Sequence, residues 1–303
     1  MWNDAPGEKE KVKIGSFYLD PFRRLNKGLG EFMAPIVHKS VLPRGNNQTV
    51  NIIPIAAISL DIRPPMWNDA PVKLEFDDVI HLFHEFGHLL QFILADVDAG
   101  SFSGALTIEE DASEVVSQFM EYWLFEAPFL SNLTKHHETG EPLPSDIIQK
   151  IHNRNQLIKC NELLHRLFLG ALEVEVNAAF DPRGDKSIIS LQRELAELYC
   201  PNHVPPKGNI DPLIQVFQSN ALGKNSMQYR YLYSEIMSAD AFSIFQNSMM
   251  KASNSEKEIQ DLGAKFRRCF LEPGGTVSTK DNFNDFCGRN ASKESLLKFY
   301  GLK

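Results

Sequence analysis

Five consecutive residues, His84-Glu85-Phe86-Gly87-His88, carry the side chains of a hydrolytic metal site. The pattern is HExxH: two imidazoles four positions apart, with a carboxylate beside the first. Around it the apolar residues Val79, Leu82, Phe83, Phe86, Leu89 and Leu90 recur with the period of an amphipathic helix. On a helix, positions four apart are separated by about 40° of arc, so His84 and His88 face the same way and can offer two nitrogens to one ion. Glu85 projects from the next sector, where it can reach a water as general base without ligating. Gly87 has no side chain, so another backbone can come close to the site.

A catalytic zinc usually takes three protein ligands and leaves one position open. The segment that follows offers Glu109, Glu110, Asp111, Glu114 and Glu121. Helical periodicity over 105–126 puts Val115, Phe119, Tyr122 and Trp123 inside and Glu114 at the border of that apolar face. A carboxylate there is costly unless it is paired or bound to a metal. Glu109 and Glu110 fall in the first helical turn, where the helix dipole favours acids, and Glu121 reads as solvated. Asp111, one turn before Glu114, is placed to accept a hydrogen bond from a ligand imidazole. The expected centre is therefore one Zn2+ per chain on His84, His88 and Glu114, with Glu85 as base and Asp111 behind the ligands. His81, one turn before His84, is expected to cap or pack.

These residues need a helical body to hold them. Residues 1–62 read as β-rich, with strands at 11–19 and 49–62. Beyond 63 the three-to-four spacing predicts helices at 76–94, 105–126, 146–180, 186–199, 211–221, 226–250 and 256–271. Gly100, Pro142 with Pro144, Asp181-Pro182-Arg183-Gly184, Pro205-Pro206 and Pro273-Gly274-Gly275 separate them. No break resembles a flexible linker, so residues 1–303 are expected to form one domain of mainly α class with a small N-terminal β-sheet. The composition, 43% hydrophobic and 23% charged, is that of a globular chain. Acidic residues outnumber basic ones 39 to 31, a net charge of -8 that would repel nucleic acid and anionic membrane. No apolar run reaches the roughly 18 residues of a membrane span. Cys160, Cys200, Cys269 and Cys287 lack close spacing, which argues against a disulfide scaffold and points to a reducing compartment, the cytoplasm or an organellar matrix.

LFHEFGHLLQ followed by EEDASEVVSQFMEYW resembles the thimet oligopeptidase, neurolysin and oligopeptidase A family of zinc metallopeptidases. GSFYLDPF, HHETGEPLP, YLYSEIMSADAFSIF, LEPGG and the closing FCGRNASKESLLKFYGLK resemble the corresponding parts of that family in the same order. The resemblance implies a zincin-like helical catalytic domain with His84, His88 and Glu114 as zinc ligands and Glu85 as the base. It also places Tyr231 in the family's tyrosine-rich substrate-binding segment. The family's long helical N-terminal half has no counterpart here, and a second copy or a partner covering that side is an expectation. Gln218 and Ser219 stand near the family's histidine, Lys224 and Gln228 where it has tyrosines, and Val116 where it has proline.

The reading that follows is a zinc metalloendopeptidase of short peptides, with Tyr231 helping to hold the oxyanion and a turnover that is weak. The alternative is a catalytically impaired peptide- or partner-binding remnant that keeps the zinc site. Arg230 and Lys224 are further candidates for positive charge near the oxyanion.

Overall fold

The structure is a computed structural model that describes residues 2–3, 12–28, 30–65, 67, 71–104, 107–201, 227–251 and 256–303. The helix expected at 211–221, and with it Gln218, Ser219 and Lys224, lies outside the described residues. The rest is mainly α with a small N-terminal sheet, as the sequence predicts.

Strands β1 (Trp2–Asn3) and β2 (Val12–Lys13) pair antiparallel. The sheet that matters for the site has three strands: β3 (Ser16–Phe22), β4 (Phe32–Val37) and β7 (Ile55–Ile62). β7 is central, parallel to β3 and antiparallel to β4. β5 (Ser40–Arg44) and β6 (Gln48–Ile52) form a separate hairpin, with Asn46 and Asn47 both at positive φ in its turn. The expected strand 49–62 is thus two strands. Pro54 lacks the N–H that a continuous ladder would need. β4 and β5, whose prolines and mixed pattern hid them, were not expected as strands.

The helix carrying HExxH, α1 (Phe76–Ile93), starts with Asp77 and Asp78 in its first turn, and Asp78 Oδ2 accepts the Glu75 N–H at 2.8 Å. Both features compensate the free N–H groups and dipole of a helix start. One side of α1 is cemented to β7: Leu89, Phe92 and Ile93 pack with Ala56, Ile58, Leu60 and Ile62. The other side meets α2 (Val115–Tyr122). The single helix expected at 105–126 is instead a 3-10 turn (Glu110–Ala112), α2, and a second 3-10 turn (Trp123–Phe125). Tertiary packing against α1 and the later helices outweighed the periodicity.

α3 (Ala127–Leu133) leads to α4 (Ser145–Ala178), a 34-residue helix, and α5 (Ile188–Tyr199) folds back on α4. α6 (Tyr229–Met249) runs through the main core. There Phe119 of α2 stacks on Phe266 at 4.0 Å and meets Phe242 and Phe245 edge-on. α7 (Glu256–Phe266) continues into a π turn (Arg267–Leu271), followed by α8 (Thr279–Cys287) and α9 (Glu294–Phe299). All four cysteines are free thiols.

Candidate metal centre

The site forms where α1 and α2 touch. A Cβ on Gly87 would lie 2.6 Å from Ser117 Cα and 2.9 Å from Val116 O, so only glycine admits the start of α2 at this distance. Glu114 sits at the N-cap of α2 rather than inside a helix, with φ -96° and ψ 1°. From there its carboxylate points back at α1. Ser117 Oγ donates to Glu114 Oε2 at 3.0 Å and steadies it.

The result is a three-residue donor set. Glu114 Oε2 lies 3.2 Å from His84 Nε2 and 3.1 Å from His88 Nε2. The two imidazoles meet edge-on, with centroids 4.9 Å apart. Four donors at about 2.0–2.1 Å from a tetrahedral zinc are themselves about 3.3 Å apart, so these separations match a shared ion within a few tenths of an ångström. Among the described residues this is the one such cluster of His, Cys, Asp and Glu.

The charges around the set also suit a cation. Burial by itself lowers the His84 pKa, but hydrogen bonds to Glu114 and Glu121 outweigh it and push it up to about 10. For Glu114 burial works upward, and the contacts with both imidazoles win, holding it well below the usual carboxylate range. Two carboxylates flanking one imidazole make a field that stabilises positive charge, which is the chemistry of a metal site.

Glu85 is 6% exposed and its Oε2 has no hydrogen-bond partner. Burial raises its pKa, and the neighbouring imidazoles offset part of that rise. A carboxylate with a free oxygen and a raised pKa is suited to accept and return a proton.

The imidazole orienter is not where the sequence put it. Glu121 Oε1 is 2.7 Å from His84 Nδ1, and Glu121 is half-buried rather than freely solvated. Asp111 turns elsewhere: its carboxylate faces the Tyr229 hydroxyl at 3.5 Å, and its carbonyl accepts from Ser234. The 3-10 turn breaks the helical register that would have aimed Asp111 at an imidazole. A signal for Glu121 was present, because it follows Glu114 by seven positions, nearly two whole turns. His81 pairs with Glu31 at 2.6 Å.

A cavity of about 500 Å³ opens over the donor set. Glu31, Phe32 and Met33 of the β4 side line it, as do Glu110, Arg230 and Tyr231. Tyr231 therefore lies in the cavity with the three donors and Glu85. Gln228, at the α6 N-cap, donates its backbone N–H to Glu173 at 2.7 Å. Glu110, expected as a solvated helix start, is exposed and also pairs with Arg230 at 2.8 Å.

The sequence and the fold can be set against known proteins. The chain is 32% identical over 290 residues to organellar oligopeptidase A, chloroplastic/mitochondrial, of Arabidopsis thaliana, covering 95% of this chain and 36% of that protein. It is 32% identical over 292 residues to oligopeptidase A of Escherichia coli (strain K12), covering 95% and 40%. The chain thus spans about two fifths of the length of these relatives. Among solved structures, a Pyrococcus furiosus carboxypeptidase shares the fold, with a TM-score of 0.54 at 14% identity over 94% of this chain and 53% of that one. The family described as peptidase family M3 matches residues 3–302. A match that leaves out only the first two residues and the last is membership, and the chain belongs to peptidase family M3.

Proposed function

We propose that this chain is a zinc-dependent metalloendopeptidase acting on short peptides, with residues 1–303 as its catalytic domain. The observation that carries the reading is the donor set of His84, His88 and Glu114 with the free Oε2 of Glu85 beside it. His84 and His88 would hold the ion through Nε2 and Glu114 through Oε2. Zinc bound there supplies Lewis acidity, making water a stronger acid and drawing electron density from the scissile carbonyl. Glu85 takes a proton from the attacking water on its free oxygen and returns it to the leaving nitrogen. Tyr231, on the cavity wall, donates to the oxygen that becomes anionic. Glu121 keeps His84 in the tautomer that leaves Nε2 free for the ion.

The relatives' names support an oligopeptidase and two settings, since they include an organellar and a probable cytosolic oligopeptidase A. A cytoplasmic or organellar-matrix location fits both. A second reading, a catalytically impaired remnant that binds peptide or a partner, draws on Gln228 at a family tyrosine. Zinc content and cleavage of quenched peptides, measured for wild type and Glu85→Gln, decide between them. The peptidase reading expects about one zinc in both proteins and loss of cleavage in the variant. Zinc without cleavage in wild type supports the remnant.

A further inference from the structure

The first turn of α6 holds a buried cation that the proposed chemistry does not use. Arg230 is 6% exposed and lines the cavity with His84, Glu85, His88 and Glu114. Its guanidinium has two partners. One terminal nitrogen pairs with Glu110 Oε1 at 2.8 Å, and the other donates to the Tyr231 hydroxyl oxygen at 2.7 Å. The guanidinium carbon stands 4.6 Å from the Tyr231 ring centroid.

A buried guanidinium is expensive unless it is paired, so Glu110 is needed to keep it there. With Glu110 attached, Arg230 is largely neutralised and poorly suited to clamp an anion itself. Its effect falls on Tyr231. A phenol oxygen that accepts from a guanidinium has its own proton left to donate. Among the described residues no acceptor receives that proton, and Tyr231 borders the open cavity. The charged donor also polarises the O–H and strengthens its onward hydrogen bond. Gln118 Nε2 donates to the Tyr231 carbonyl at 3.0 Å, tying this residue to the helix whose N-cap is Glu114.

We propose that Arg230 is a positioning residue: held by Glu110, it fixes the Tyr231 hydroxyl as a donor into the cavity, aimed at the oxygen that becomes anionic when water adds to a peptide carbonyl. The inference rests on the peptidase reading for that last step, while the Arg230–Tyr231 coupling can be measured without turnover.

The test is a double-mutant cycle on the zinc-loaded protein, read as affinity for a phosphinic peptide, whose tetrahedral anionic centre mimics the adduct. Arg230→Gln and Tyr231→Phe should each weaken binding by about tenfold or more. The double variant should be within about twofold of the weaker single variant, because both changes remove one donor. Arg230→Lys, which can still donate, should recover part of the loss. A readout free of zinc and peptide is the tyrosine Fermi doublet in the Raman difference between wild type and Tyr231→Phe. It should report an accepting phenol oxygen in wild type and lose that signature in Arg230→Gln. The proposal is overturned if wild type does not bind the probe, if Arg230→Gln leaves affinity unchanged, or if it costs as much in the Tyr231→Phe background. It is also overturned if amidating the probe's C-terminus abolishes the Arg230 effect, since the guanidinium would then be a carboxylate clamp. Normal coupling in a wild type that cleaves no peptide would sink the peptidase reading and leave the positioning intact. Cleavage without coupling would do the reverse.

Discussion

Where α1 meets α2, the cavity wall is backbone against backbone: Gly87 faces Ser117 and Val116 so closely that no side chain fits between them. Where α6 reaches the same cavity, the wall is held by charges: Arg230 on Glu110, with the Gln228 N–H on Glu173 just before it. The first wall carries the donors that must converge within a few tenths of an ångström. The second carries Tyr231, whose proposed part is a single hydrogen bond. Close packing of backbone fixes position more tightly than a pair in which one partner, Glu110, stands half in solvent, because packed atoms have few alternative arrangements. The placement of functions follows that difference.

The comparison breaks most visibly at a donor. His88→Ala should drop zinc to well below half an equivalent, measured by metal analysis of the purified protein. Its circular dichroism should stay helical, since His88 faces the cavity rather than the core. Retention of a full equivalent would move the ion elsewhere.

Gly87→Ala tests the packed wall itself. The new Cβ meets backbone atoms at 2.6 and 2.9 Å. An overpacking cost of about 1–3 kcal/mol should outweigh alanine's helix-propensity gain of roughly 1 kcal/mol. Urea unfolding should show a lower midpoint, and zinc affinity should fall with it as Glu114 is pushed off. A variant as stable as wild type with unchanged zinc affinity would mean that α2 approaches less closely than described.

Glu121→Gln sharpens the account of the donors. Losing the carboxylate behind His84 should lower zinc affinity by about 10–100-fold, with Asp111→Asn as a control that changes it by less than twofold. The opposite ranking in a chelator competition would restore Asp111 as the orienter.

The smallest effect probes a buried charge further along α6, away from the cavity. Asp240 is 1% exposed and accepts from Arg289, the Ser292 N–H and Ser295 Oγ. Burial works against its ionisation, yet the Arg289 hydrogen bonds and those from Ser292 and Ser295 hold its pKa below the ordinary value. A lowered folded pKa contributes stability above the unfolded pKa, about 4, and that stability is lost as pH falls through the folded value. Asp240→Asn should therefore cost about 1–2 kcal/mol at neutral pH. The gap to wild type should close below about pH 4. A gap that persists in acid would mean that Asp240 acts through packing instead of charge.

Much of the helical body was legible. α1, α4, α5 and α6 fall within a few residues of their expected bounds, because long amphipathic or apolar stretches with Pro and Gly breaks leave little choice. The sheet was less legible: β4 and β5 carry Pro35 and Pro43, which mask the strand pattern, yet neither proline prevents pairing there. The 3-10 turn before Glu114 was also hidden. Residues 105–126 are periodic enough for one helix, and nothing local says that it must break to let a carboxylate turn back onto α1.

By itself the sequence determined the chemistry available: two imidazoles one helical turn apart, a carboxylate next to the first, and a glycine that lets a second element approach. Those follow from helix geometry and need no knowledge of distant residues. The border position of Glu114 already singled it out as the third donor, but only the tertiary structure decided which acid orients His84 and that the exposed Glu110 pairs with Arg230. Side chains more than a hundred residues apart meet at that pair, and no periodicity within one segment encodes a contact between two. It is set by how α6 docks against the turn ahead of α2, a choice made by the aromatic core around Phe119 and Phe242.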